Sequence, residues 1–460
     1  MPKQRNESYI DYKKRVLDPI SSTFCGAKWY NATIWLGSGS TTSCHHPPAQ
    51  PIDKEEILTN PSAIHNTKHK KEMRRMMLNG ERPQECEYCW KVEDVSRDNV
   101  SDRVWKSVIY TDEDLQLAMQ RGYEDDVNLK TLEIAFDRTC NFACSYCNAS
   151  FSTTWANDIK KNGIYTDLVS DGGGAYTHDG SWADAVPQKD KDANPYIKAF
   201  WDWWPELSQS LTELRITGGE PLMSDDVWKL FDMFAEQQLD MNFAVNSNLG
   251  GKEALIDRFI EKSHGVKNLD LYTSCETFGA KAEYIRDGLD YAYWQKNLER
   301  VLEESNVKKI GVMMTINSLC LYGMTDFMEY ILGLKEKFGK QRIVMSLNLL
   351  RFPSFMSPLA LPEDQILDRH LQLKNWLDAN RTHPMMTEME IDATQRLVDY
   401  LDAVKTPHAN TSDKKLLHAD FKTFYDQYDV RRGKDFSATF PELAEWFAKI
   451  RKTIPITVQQ

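Results

Sequence analysis

TLEIAFDRTCNFACSYC, residues 131–147, joins a period-two apolar run to a loop holding three of the chain's nine cysteines. Leu132, Ile134 and Phe136 alternate as one face of an extended segment, and Cys140, Cys144 and Cys147 follow at once. Five more β-rich runs lie downstream: ELRIT (213–217), MNFAVNS (241–247), NLDLYTS (268–274), KIGVMMTI (309–316) and RIVMSLNL (342–349). Helical patterns separate the later runs. In SDDVWKLFDMFAEQQ (224–238), Val227, Leu230, Phe231 and Phe234 sit at i, i+3, i+4 and i+7, one face of a helix. ALIDRFIEK (254–262), AYWQKNLERVL (292–302) and DFMEYILGLKEKF (326–338) repeat the arrangement. Strand then helix, six times, predicts a parallel sheet with helices outside it. Right-handed crossovers curl six such units toward an open barrel. The expected fold class is therefore α/β, a partial (β/α)6 TIM-like barrel. Function in such sheets sits in the loops after strand C-termini, which is where the three-cysteine loop falls.

Composition sets the outer limits. The 460 residues allow two or three domains. A net charge of −12 argues against nucleic acid or an anionic membrane as partner. MPKQRNESYIDYKKR at the start has no apolar leader core, and no run approaches the roughly 20 apolar residues of a spanning helix. The expected location is the cytoplasm, where thiols stay reduced. An odd cysteine count also suits a disulfide set poorly. That leaves zinc or an iron–sulfur cluster for the crowded thiols, because thiolates are soft ligands suited to both.

Three segments are expected: an N-terminal module (1–125), the barrel (126–352) and a mostly helical C-terminal region (353–460). The first holds Cys25, Cys44, Cys86 and Cys89. NATIWLGSGSTTS (31–43) predicts a β-hairpin that brings Cys25 and Cys44 together, and CEYCW (86–90) supplies a second pair. Four thiolates complete the ligand set of a zinc or a cluster, and spacing alone leaves both open. KKEMRRMMLNG (70–80) predicts a helix with an apolar stripe of Met73, Met76 and Met77, a solvated face of Lys70, Lys71, Arg74 and Arg75, and Gly80 at its end. His45 and His46 in CHHPP (44–48) are expected beside the ligands or as turn residues, with an imidazole in place of a thiolate as the other reading. A Gly/Asp/Lys-rich run through 194 predicts a surface loop. Trp201, Trp203 and Trp204 are expected to pack on the barrel, with a substrate pocket as the other reading. Cys275 and Cys320 are expected as small buried residues.

CxxxCxxC after the first strand of a β/α series resembles the radical S-adenosylmethionine superfamily. The resemblance implies that Cys140, Cys144 and Cys147 hold a 4Fe–4S cluster whose fourth iron chelates S-adenosyl-L-methionine. TGGEPL (217–222) matches the family's GGE motif and implies Gly218, Gly219 and Glu220 around the methionine amino group. NSNLG (246–250) implies Ser247 and Asn248 near the ribose or carboxylate. SCETFGAKAEYIRDG (274–288) implies Ser274 and Glu276 near cofactor or substrate and Arg286 near the methionine carboxylate; Tyr146 joins the cofactor set. The N-terminal cysteines and NGERPQECEYCWKVED (79–94) look like the twitch half of SPASM auxiliary-cluster modules, here placed before the barrel. That implies an auxiliary 4Fe–4S cluster on Cys25, Cys44, Cys86 and Cys89. The implied activity is reductive cleavage of S-adenosylmethionine to a 5′-deoxyadenosyl radical that abstracts hydrogen from a peptide or small-molecule substrate. A flavodoxin or ferredoxin type reductant is implied as partner. No catalytic side chain is assigned. The competing readings are an iron–sulfur electron-transfer or assembly protein, and a structural zinc in the N-terminal module.

Overall fold

The computed structural model describes residues 7–96, 99–178, 194–403 and 414–451; residues 179–193 of the expected surface loop lie outside them. The chain divides into two compact units. One comprises 1–137, 185–218 and 240–243, and the other comprises 138–184, 219–239 and 244–460. The strands are β1 (Asn31–Trp35), β2 (Ser40–Thr42), β3 (Gln50–Pro51), β4 (Thr131–Ala135), β5 (Ala143–Cys144), β6 (Glu213–Thr217), β7 (Asn242–Asn246), β8 (Leu269–Ser274), β9 (Arg286–Asp287), β10 (Lys309–Ile316) and β11 (Ile343–Leu349). All six expected barrel strands are present in chain order. Within the first unit the sheet order runs β7–β6–β4–β1–β2–β3, and within the second β11–β10–β8–β7; β7 has residues in both.

The pairing of β4 with β6 is parallel, as are those of β8 with β10 and β10 with β11. These strands are buried for the reason their sequences give. Leu132, Ile134 and Ala135 of β4 and Leu214 and Ile216 of β6 are all buried. Helices Asp225–Gln237, Glu253–Ser263, Tyr291–Glu304 and Met324–Phe338 lie where the 3.6-residue period predicts. The C-terminal region is helical, at Glu363–Asn380, Glu388–Asp402, Lys414–Arg432 and Pro441–Lys449.

The predicted hairpin is β1 with β2, antiparallel, Thr33 opposite Thr42. Its outer partner is new. β1 also runs parallel to β4 in register, Asn31 beside Thr131 through Trp35 beside Ala135. The N-terminal hairpin thus extends the barrel sheet instead of forming a sheet of its own. Alternating burial of Ala32 and Ile34 fits a hairpin and a sheet extension equally well, so the sequence pattern cannot separate them.

Helix Lys68–Leu78 forms as predicted, and Gly80 follows it with φ +76°, the left-handed stop that glycine allows. Its basic face is a correction. Lys71 and Arg75 are partly exposed, but Lys70 and Arg74 are buried, at 2% and 0% exposure. Arg74 donates to Lys28 O and Asn66 Oδ1, and Lys70 donates to Thr41 Oγ1 and Thr42 O. Backbone and side-chain acceptors brought in by β2 and by residues 28 and 66 replace the water these cations lose. The tryptophans follow the packing reading: Trp203 and Trp204 are buried on helix Pro195–Leu207, and Trp201 stacks on Phe136 at 5.9 Å. Among the described residues no helix is long and apolar enough to cross a membrane.

Candidate active site

The three-cysteine loop is held by the helix that follows it. Helix Thr153–Asn162 starts at Ser152, whose hydroxyl donates to Phe142 O at 2.7 Å and accepts Trp155 N–H. Thr153 Oγ1 accepts Cys140 N–H at 3.1 Å, Thr154 Oγ1 donates to Cys140 O at 2.6 Å, and Trp155 Nε1 donates to Cys144 O at 2.9 Å. Four consecutive residues therefore fix the loop at residues 140, 142 and 144. Sequence reasoning missed them, although Ser-Thr-Thr before an apolar-periodic run is an N-cap signal. Tyr176 OH donates to Ser145 O at 3.0 Å, and β5 pairs with β9, Cys144 opposite Arg286.

The thiols are poor acids where they stand. Burial pushes Cys140 up to about 12, with Cys144 and Glu220 adding to the rise. Burial and the neighbouring thiols push Cys147 up further, and burial raises Cys144 against the pull of Arg286. Three thiolates so placed need a cation to exist together.

Gly218 and Gly219 have a partner the motif did not announce. Gly218 has φ +127°, and a Cβ there would stand 2.7 Å from Asp137 O. A Cβ on Gly219 would stand 2.2 Å from Thr139 O and 2.6 Å from Arg138 O. The glycines admit the backbone that enters the cysteine loop, and Glu220 N–H donates to Thr139 O at 2.6 Å. Gly219→Ala is expected to push the loop out of place, destabilise the protein by about 3 kcal/mol and lower the iron the chain takes up on reconstitution. Thermal unfolding and iron content measure both effects.

Glu220 is buried and caught by three donors: Leu222 N–H (3.1 Å) and Ser247 Oγ–H (2.8 Å) on Oε1, and Asn248 N–H (2.7 Å) on Oε2. Burial nonetheless pushes its carboxyl up to about 7. Asn248 Nδ2 donates to Asn141 Oδ1, inside the cysteine loop, at 2.8 Å. The motif residues Glu220, Ser247 and Asn248 thus form one network with that loop.

Tyr146, Glu276 and Arg286 form a second network. Arg286 donates from Nε and Nη2 to Glu276 Oε2 at 2.9 and 2.6 Å, and Nη1 points at Cys144 Sγ at 3.8 Å. Tyr146 OH donates to Glu276 at 3.2 Å. Burial works against the Arg286 charge, yet Glu276 beside it prevails and holds the guanidinium protonated. Ser274 ends β8, half-buried. Cys275 and Cys320 are fully buried as expected, and Asn317 N–H donates to Cys320 Sγ.

In the first unit, Cys25, Cys44, Cys86 and Cys89 line one small cavity with Lys28, His46, Met77, Asp102, Arg103 and Lys106. Burial pushes Cys86 up to about 12, Lys28 opposing, and Cys89 up to about 11. Two buried cations face these thiols: Lys28, ion-paired with Glu85, and Arg103, whose Nε donates to Glu93 at 2.7 Å. A tetrahedral zinc with bonds of about 2.3 Å draws its sulfurs to about 3.8 Å. Among the described residues, no three cysteine sulfurs of either set lie within 4.8 Å of one another.

Fold and site together give a largely parallel six-strand series, three thiols in the loop after its first strand, and Gly-Gly-Glu after its second. No protein-family model and no curated protein matches the chain. Solved structures to which the chain is similar include native anSMEcpe with bound AdoMet, 12% identical over 54% of this chain and 61% of that one, TM-score 0.34. Streptococcus suis SuiB bound to S-adenosylmethionine is 12% identical over 81% and 76%, TM-score 0.34. TYW1 with a lysine-pyruvate adduct is 16% identical over 51% and 70%, TM-score 0.26. The match thus spans less than two thirds of anSMEcpe. These likenesses are distant, and the chemistry rests on this chain's own residues.

Proposed function

We propose that the chain is a radical S-adenosylmethionine enzyme acting on a peptide or small-molecule substrate. Cys140, Cys144 and Cys147 hold a 4Fe–4S cluster, and Cys25, Cys44, Cys86 and Cys89 hold an auxiliary one in a twitch-like module. The observation that carries the reading is the three-thiol loop itself. It stands directly after the first strand of the parallel series and is fixed by Ser152–Trp155. The loaded centre supplies reductive cleavage of S-adenosylmethionine to a 5′-deoxyadenosyl radical.

The chain's own residues hold and orient. Burial keeps the Cys140, Cys144 and Cys147 thiols protonated, and they would give up their protons only on holding the cluster. Arg286, steered by Glu276 and Tyr146, puts a positive charge beside Cys144, which favours the anionic ligand. Glu220 braces the Ser247–Asn248 turn against the cysteine loop and presents a carboxylate suited to an ammonium group. Lys28 and Arg103 offset the charge of four thiolates at the auxiliary cavity. The external electron is assigned to a flavodoxin or ferredoxin type reductant, and location to the cytoplasm.

Anaerobic reconstitution with iron and sulfide counting tests the reading. About eight irons per chain are expected, two cubanes. Four irons and one zinc would replace the auxiliary cluster by a structural zinc. Iron without reductive cofactor cleavage would make the chain an electron-transfer or assembly protein.

A further inference from the structure

We propose that His45, His46 and Asp102 form a separate binding site for one divalent first-row cation, such as Zn²⁺, at the rim of the four-thiol cavity. Nothing in the four-cysteine reading requires this site, and it stands whether those thiols carry iron or zinc. Asp102 Oδ2 lies 2.7 Å from His46 Nε2 and 3.3 Å from His45 Nε2. Among the described residues this is the one group of three His, Cys, Asp or Glu ligand atoms all within 4.8 Å of one another. Both imidazoles aim their outer nitrogen at the same carboxylate oxygen. Hydrogen bonding alone would stack two N–H donors on one acceptor. A single cation in place of those protons satisfies all three donors at once.

The spacing suits an ion. Bonds of about 2.0–2.2 Å in a tetrahedron set donor atoms about 3.4 Å apart. The His45 pair already stands near that separation, and the His46 pair has to open by about 0.7 Å. The rings are placed in advance, which lowers the ordering cost of binding. His46 stacks on Tyr88 at 3.9 Å with planes 17° apart, and the His45 and His46 rings lie 4.0 Å apart. His46 is 14% exposed and Asp102 32%, while His45, at 63%, leaves the approach open to water. Two imidazoles and one carboxylate are the ligands of a borderline divalent metal, and three protein ligands leave a position for water or another molecule.

His46 also has a place beyond the ion. It lines both the four-thiol cavity and an open groove of about 770 Å³ bordered by Met73, Met76, Glu85 and Tyr88. His46 therefore stands where that groove meets the thiol cavity.

The test uses the full chain, reconstituted anaerobically so that the cysteine sites are filled, then titrated with Zn²⁺ alone. The wild-type protein is expected to take up one equivalent beyond its cysteine-held metal. His45→Gln, at a residue that does not line the thiol cavity, should lose that equivalent with iron, sulfide and thermal unfolding unchanged, and Asp102→Asn should lose it as well. If the auxiliary thiols themselves carry zinc, Cys86→Ser with Cys89→Ser removes that zinc and leaves the histidine-held equivalent. Zinc-edge absorption on the wild-type protein gives a readout that needs no variant. A shell of nitrogen and oxygen at about 2.0–2.2 Å supports the site. No extra equivalent in the wild type, retention in both variants, or a sulfur shell around the added zinc overturns it.

Discussion

Replacing Cys140, Cys144 and Cys147 together with alanine abolishes S-adenosylmethionine cleavage and leaves about four of about eight irons in place. The expectation rests on the two thiol sets being independent, since each lies within its own compact unit. The fold should survive the change. The loop is held through backbone atoms of residues 140, 142 and 144 by the side chains of Ser152, Thr153, Thr154 and Trp155, and alanine keeps those bonds. Anaerobic iron counting and assay of 5′-deoxyadenosine formation read the two effects separately. Cleavage surviving in the triple variant would sink the assignment of the active site. Loss of all iron would mean that the two sets depend on each other.

The largest stability effect is expected at a buried ion pair. Lys335 and Glu390 form an ion pair at 2.5 Å with neither side chain exposed. Glu390 does more than neutralise the ammonium. Its Oε1 accepts Met345 N–H of β11 at 2.8 Å, and its Oε2 closes a capping box with Thr387 at the start of helix Glu388–Asp402. One carboxylate thus ties helix Met324–Phe338, strand β11 and a C-terminal helix together. Glu390→Leu leaves a buried ammonium and a strand N–H without partners, at a cost of about 3–5 kcal/mol. Burial lowers the Lys335 pKa even with Glu390 present, and losing the carboxylate lowers it further. Adding Lys335→Met to Glu390→Leu removes the stranded charge and should recover most of the loss. Urea midpoints of the single and double variants check both statements. A double variant as weak as the single would show that the Met345 bond and the cap, not the charge, carry the effect.

Much of the fold was legible because it is written in short periods. Each barrel strand is an apolar run bounded by polar turns, and each helix shows its stripe at 3.6 residues. Those patterns depend on which face a residue turns to the core, and a window of ten residues holds that information. The cysteine loop was legible for the same reason, since its spacing is local. The predicted solvated face of helix Lys68–Leu78 failed at Lys70 and Arg74 because charge alone does not say whether acceptors wait in the interior. Those acceptors come from Thr41, Thr42, Asn66 and Lys28, on other elements.

The site divides in the same way. Residue types in Gly-Gly-Glu and Tyr-Ile-Arg pointed to a cofactor pocket, but motif spacing does not show what each group touches first. The structure shows the glycines giving way to Arg138, Thr139 and Asp137 oxygens, and Glu276 paired with Arg286. The strand–helix series, the place of the thiol loop after its first strand, and the positions of thiols and carboxylates can all be read along the chain. Packing was needed to learn that β1 lies parallel to β4, that Lys70 and Arg74 are interior, and that His45 and His46 meet Asp102. Periodicity is set by neighbours along the chain. Partnership is set by groups far apart in sequence that only packing brings within a few ångströms, as with Asn31 and Thr131 at 2.6 Å.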